Sequence, residues 1–568
     1  MSAIEQEQRS TPKLRSVLIW SGLLAITLFV TGRAHYFLRS PYQLQTMAYD
    51  SSWWWSYQEL IANPDLVQGN PFHADRLAAR FGTDYALQDA IVSVSQAIGV
   101  SRLHVNLVIT SGLYLAAFLG IFALGWYALR SPAWAFFFTF VLAQSEFAAW
   151  LRYPIFTPKM IGFALYPVVV LLLLNATLTG KRWGWTILLA AISILLYPAS
   201  PMYYLPFWTP ACLAVAYRQA REQGDVALLL KRLGLLVVVC MFALLAVRTL
   251  NGPKSPPELH VTELLYRSHY FKFSHYVKAY FDYVLLVVAG FALLTFWWKT
   301  DERTSQLTRV LVLAFTASLA VAVVAHASAL HVPQIRMLWY WRVAYYCYLP
   351  GLLFIVLALK HLAEQQEWSR HTLRISCVLL CAWVTYRATS YNATGIVGSL
   401  KTIKYVAVGG GFQEDEQAHD DLIAWLRKTP PESRILMPDP RHQGTRGVLV
   451  ETDAHRYCLL GHVASGALVL DMPTTEDYSR TLVEYRRVLA IPDPHQRSAE
   501  VREFASRHET PYLLQRLKNL PREELPDLPV LFENKRWIVY GVPPTTDALR
   551  QASSPPTEDR TDHRTSRR

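Results

Sequence analysis

Long apolar runs separated by short basic stretches dominate the first two thirds of the chain. Ser16–Gly32 and Val105–Leu129 carry no charged residue, and Met160–Gly180, Leu233–Val247 and Tyr283–Trp298 are similarly apolar. Crossing the hydrocarbon core takes roughly 20 helical residues, so these runs predict transmembrane helices. The full pattern predicts about eleven spans, at 16–32, 105–128, 133–150, 160–179, 184–199, 203–217, 233–250, 280–298, 310–327, 339–359 and 373–389. The stretch 184–217 allows two spans, or one span and a re-entrant turn at "YPASPMYY". After the first run comes "RAHYFLRSPY", bulky and basic without a small-residue cleavage pattern, which predicts a retained first span.

With this span order the basic segments "RSTPKLR", "GKRWG", "RQAREQGDVALLLKR", "KTDERTSQLTR" and "KHLAEQQEWSRHTLR" share one side, although Arg33, Arg39, Arg152 and Arg336 fall on the other. The positive-inside rule assigns the shared side to the cytoplasm. The expectation is therefore a bacterial inner-membrane protein with a cytoplasmic segment 1–15, a transmembrane domain 16–390 and an external carboxyl-terminal region. Three external regions follow: Arg33–Leu103, Asn251–Tyr276, and everything after about residue 390.

Within the first loop, "WWWSYQELIA" and "DYALQDAIVSVSQAIGV" place apolar residues at helical spacing. They predict two short amphipathic helices along the membrane surface, with Trp53–Trp55 as an aromatic anchor. The pattern changes after residue 390. "DEQAHDDLIAWLRK" reads as an amphipathic helix followed by a Pro-Pro break and the strand "RILMP". Further strands are predicted in "GVLVETDAHRYCLL", "GALVLDM", "PYLLQ" and "LPVLFENKRWIVYGV", and helices in "YSRTLVEYRRVLA" and "SAEVREFASRH". Alternating strands and helices argue an α/β domain over 391–543 with a largely parallel sheet, followed by a polar, Pro/Ser-rich tail, 544–568, expected to be disordered.

Composition agrees with the pattern. Of 568 residues, 52% are hydrophobic and 17% charged, where a soluble chain carries nearer a quarter charged. The net charge of +12 does not point to nucleic acid, because the basic residues flank apolar spans and no compact basic domain appears. The six cysteines form no disulfide framework and no paired zinc-ligand pattern. No internal repeat and no mid-span Asp or Glu pattern argues for a transporter.

The layout resembles the GT-C class of membrane glycosyltransferases over nearly the whole chain: about eleven spans, an acid in a first external loop with interfacial helices, and a small external α/β domain. Local echoes are "DLVQGNPF", "ILLYPASPMYY", "HVPQIRMLWYWRVAYY", "AWLRKTPPESRILMP" and "LPVLFENKRWIVYGV". The resemblance implies a polyprenyl-phosphate-linked sugar as donor and an external glycan acceptor. It implies a loop carboxylate, here Asp50, acting as general base or binding a divalent metal (Mg or Mn), and a basic residue stabilising the leaving phosphate. Many members pair two acids in that loop, whereas here no two are adjacent: Asp50 is followed by Glu59, Asp75, Asp84 and Asp89. A metal site would have to combine Asp50 with an acid such as Asp75, in "HADR".

Each candidate also has a structural reading. Asp50 could cap the helix that follows it. Trp54 could stack a sugar or only anchor the helix. Arg152 and Lys159 sit at an external helix boundary, where a basic side chain either snorkels or holds phosphate. Arg336 and Arg342 flank "MLWYW" at a span edge suited to an anionic headgroup. A non-catalytic scaffold of the same layout, binding lipid or glycan or serving a membrane complex, is the alternative function.

Overall fold

A computed structural model describes residues 22, 49–63, 83–144, 155–251, 302–331, 343–364, 371–372, 374–382, 413–436, 454–459, 475–516 and 524–542. The chain divides into two compact units, one holding the described residues up to 382 and the other those from 413 onward.

The first unit is helical. Its elements are α1 (Tyr49–Ala62), α2 (Thr83–Ile98), α3 (Arg102–Leu129), α4 (Pro132–Gln144), α5 (Pro158–Thr179), α6 (Trp183–Leu196), α7 (Ala199–Gln223), α8 (Val226–Asn251), α9 (Glu302–His331) and α10 (Val343–Glu364). Among the described residues, five helical stretches are long and apolar enough to cross a membrane: Arg102–Leu129, Pro158–Thr179, Val226–Val247, Glu302–Ala325 and Tyr346–Glu364. This is an α-helical membrane protein. Apart from Gly22, the expected spans at 16–32 and 280–298 lie outside the described residues, as do 145–154 and 383–389. The stretch 184–217 forms two helices, because α6 ends at Tyr197 in an extended conformation (φ −157°) and Pro198 opens α7.

Helix ends follow local chemistry. Ser101 caps α3 by accepting from the His104 N–H at 3.4 Å, satisfying one of the free donors of a first turn. Gly180 ends α5 in the left-handed region (φ 69°), with its N–H on the Ala176 carbonyl, the ordinary use of glycine at a helix end.

Polar groups in the bundle core find one another. Trp208 Nε1 donates to Tyr166 Oη at 2.8 Å, Tyr166 Oη donates to the Tyr346 carbonyl at 2.7 Å, and Tyr346 Oη donates to Ser200 Oγ at 2.7 Å. All four residues are buried. Chains of satisfied hydroxyls join α5, α7 and α10 where an unpaired one would be costly. Close approach between helices also relies on absent side chains. A Cβ on Gly162 of α5 would collide with Ser200 of α7, and one on Gly120 of α3 would sit 2.9 Å from Val168 Cγ2 of α5.

The second unit contains α11 (Gln413–Leu426), β1 (Arg434–Leu436), β2 (Tyr457–Leu459), α12 (Thr475–Leu489), α13 (Pro494–Arg507), β3 (Tyr512–Arg516), β4 (Val530–Glu533) and β5 (Trp537–Gly541). The strand order is β2-β1-β3-β5-β4. β1 pairs in parallel with β2 and β3, while β5 runs antiparallel to both β3 and β4. The sheet is thus mixed, not largely parallel as the strand–helix alternation suggested. The reason is a short link: parallel strands need a long crossover, and only Asn534–Arg536 separate β4 from β5. Asn534 closes this hairpin, its Oδ1 accepting from the N–H groups of Arg536 (3.0 Å) and Trp537 (2.9 Å). Its Nδ2 donates to the Ala418 carbonyl at 2.7 Å and so ties the hairpin to α11. The predicted strands in "GVLVE" and "GALVLDM" lie outside the described residues.

Arg456 is bound on many sides. It is buried, and its guanidinium donates to the carbonyls of Arg427, Thr429, Ala454 and His455 and to Thr429 Oγ1. A rigid five-donor fork can satisfy several carbonyls at once, here those just past the end of α11.

Candidate functional site

The sequence points to the first loop, and there α1, α2 and the first turn of α3 meet. Three amides converge with no exposure at all: Gln58, Gln88 and Asn106, each 0% accessible. Gln58 Nε2 donates to Gln88 Oε1 at 2.6 Å and to Asn106 Oδ1 at 3.2 Å, and Asn106 Nδ2 returns a bond to Gln58 Oε1 at 2.8 Å. The network continues to the segment ahead of α5. Gln88 Nε2 donates to the Phe156 carbonyl at 3.2 Å, and Asn106 Oδ1 accepts from the Phe156 N–H at 2.9 Å. An amide carries both donors and acceptors, which lets three side chains satisfy one another and the backbone inside a dry contact.

A charged layer lies beside it. Arg102 donates to the Gln58 carbonyl at 2.7 Å, pairs with the Glu59 carboxylate, and sits 5.2 Å from the Trp55 ring centroid. Tyr57 Oη donates to Asp89 Oδ1 at 3.4 Å. The loop helices are thus fixed to the ends of two spans through side chains from α1, α2 and α3 and the backbone before α5.

The sequence candidates fall unevenly on this frame. Asp50 is the second residue of α1 as described, with a helical backbone. Trp54 is buried, 5% exposed, and set edge-on to Tyr57 at 6.1 Å between centroids. Stacking on a sugar needs an open ring face, which this ring lacks. Lys159 is the second residue of α5 and partly buried, three residues past Phe156. Arg152, Arg336, Arg342 and Asp75 lie outside the described residues.

Among the described residues, no group of three or more His, Cys, Asp or Glu is arranged to hold a metal ion. Glu59 is taken by Arg102 and Asp89 by Tyr57. The Arg102 guanidinium already neutralises Glu59, so that carboxylate is not free to hold a divalent metal.

Gln58, Gln88, Asn106 and Arg102 were not singled out by sequence. Asn106 alone carries a signal, as an amide inside the apolar run Val105–Leu129. Compared with known proteins, the chain matches no family model and no curated protein.

Proposed function

We propose that the protein is a GT-C-like membrane glycosyltransferase of about eleven spans, with its α/β unit outside the cytoplasm. It moves a sugar from a polyprenyl-phosphate donor to an external acceptor. The supporting observation is the buried amide network, which fixes α1, the helix that contains Asp50, against α3 and the start of α5. Catalytic groups need supports whose own geometry is locked, and a loop helix with no such role has little need of three buried amides.

In this reading Asp50 takes the proton from the acceptor hydroxyl. The oxygen attacks the anomeric carbon, the bond from that carbon to the phosphate oxygen breaks, and polyprenyl phosphate leaves with the electron pair. Positive charge from Arg152, Lys159, Arg336 or Arg342 stabilises the departing phosphate.

A second reading, a non-catalytic scaffold of the same class that binds lipid or glycan, is favoured by a specific observation. Glu59, Asp89 and Trp54, which the first loop could offer a substrate, are engaged in packing. The deciding experiment is a transfer assay on purified protein in lipid, with a panel of radiolabelled polyprenyl-phosphate sugars and membrane extract as acceptor. Loss of transfer in Asp50→Asn, with folding intact, supports the base. Unchanged transfer in that variant keeps the enzyme and removes Asp50 from its chemistry. No transfer from any donor favours the scaffold.

A further inference from the structure

At the other ends of the same spans, three arginines line one cavity of about 540 Å³, shared by Ala123, Trp126, Tyr127, Arg130, Leu171, Leu172, Asn175, Arg182 and Arg303. Arg130 follows the last residue of α3, Arg182 precedes α6, and Arg303 is the second residue of α9. α3 is 28 residues long, so this edge is about 40 Å from Arg102, across the thickness of a bilayer.

Snorkelling explains one arginine at a helix end. It does not explain three directed into one cavity without a carboxylate among the lining residues. Arg303 is held by the protein: it donates to the Tyr127 carbonyl at 3.0 Å and lies 4.7 Å from that ring's centroid. The neighbouring acid, Glu302, instead accepts from Gln306 at 3.0 Å. Among the described residues, the side chains of Arg130 and Arg182 have no hydrogen-bond or ion-pair partner. Both also have left-handed backbones, φ 52° and 66°, a conformation in which glycine is the easy choice. Like charges in one cavity repel, and an anion among them turns that repulsion into attraction.

The remaining lining says which anion. Leu171, Leu172 and Ala123 form an apolar wall, and Trp126 is 49% exposed, as an indole at headgroup depth would be. We propose that this cavity binds a phosphate group supplied by the headgroup of an anionic membrane lipid. The guanidiniums of Arg130, Arg182 and Arg303 take the phosphate oxygens, and the apolar wall takes the start of the acyl region. The site is independent of the transfer reaction at the opposite membrane edge.

The test compares thermal stability of the full chain in nanodiscs of phosphatidylcholine alone and with added phosphatidylglycerol, with inorganic phosphate as a separate arm. The variants are Arg130→Gly, Arg182→Gly and both together. Each removes a charge and relieves a left-handed backbone, so in the neutral lipid they should be as stable as wild type or more so. The expected result is stabilisation of wild type by phosphatidylglycerol, with apparent lipid affinity falling roughly tenfold per arginine removed. Equal stabilisation of wild type and the double variant would overturn the site. Inorganic phosphate alone reproducing the full shift at millimolar concentration would overturn the lipid as its source. Arg303→Gln gives a check that leaves the left-handed positions untouched, and full retention of lipid in that variant would also count against the cavity.

Discussion

Single side chains in this protein matter mostly through the partners they would leave behind. Asn106 serves Gln58 in both directions and accepts from the Phe156 backbone, so Asn106→Leu orphans Gln58 Oε1 and the Phe156 N–H in a contact closed to water, while Gln58 Nε2 keeps Gln88. Each orphan costs about 1–3 kcal/mol. The expected loss is about 3 kcal/mol in total, and a chemical-unfolding midpoint in detergent measures it. Gln58→Leu added to Asn106→Leu should cost much less than the sum, because the two remove parts of one network. Arg102→Met should cost about 2 kcal/mol by stranding a half-buried Glu59 carboxylate. None of this was legible in the chain. Gln58 and Gln88 sit on amphipathic helices where an amide reads as part of the wet face, and only the fold shows the two wet faces turned toward each other. Helix α1 itself was legible from its helical spacing.

Helices were the readable elements, because an apolar run of span length leaves few other structures available in lipid. What the pattern did not carry is how closely the helices approach. Gly162 meets Ser200 with no room for a Cβ, while a Cβ at Gly112 or Gly234 would meet nothing within 4 Å. Gly162→Leu should therefore part α5 from α7 and lower the yield of folded protein on size-exclusion chromatography. Gly112→Ala should be neutral, or stabilising by about 0.5–1 kcal/mol through helix propensity. The sheet was misread for an equally local reason. "ENKRW" looks like a pause within one strand region, yet the Asn534 side chain bonds two following N–H groups and turns the chain back. Asn534→Ala should open that turn and release α11 from the hairpin, visible as faster amide exchange across β4 and β5.

At the scale of the whole molecule, proton binding acts on the second unit with two opposite signs. The Asp527 carboxylate, 2.9 Å from His495 Nδ1, holds that imidazole's pKa above its ordinary value. Its contribution is therefore complete below about pH 6.5 and fades as pH rises through the raised value. Burial pushes His508 down, opposed by Glu484 and assisted by Arg507 and Arg434. A half-buried neutral imidazole resists charging, so this residue weakens the fold as pH falls below about 6.5. Titrating the imidazole Cε1–H resonances should place His495 above and His508 below the free value, with His495 moving back in Asp527→Asn. A shift of both in the same direction would contradict the geometry around one of them. The gathering of Arg130, Arg182 and Arg303 around one cavity was not open to sequence, because it needs the helices in place.

The Arg456 fork reaches across chain connectivity as well as space. It binds carbonyls at Arg427 and Thr429 from the position just before β2, and β1 and β2 are also zipped in parallel register, Ile435 against Cys458. A protease cut anywhere between Leu436 and Ala454 would therefore sever the chain without separating its halves. The two pieces should migrate together on a native gel and apart in detergent-denatured form, so the unit would keep its shape as a nicked pair. Arg456→Ala should weaken that association, leaving the pairing of β1 with β2 and β3 to hold the pieces.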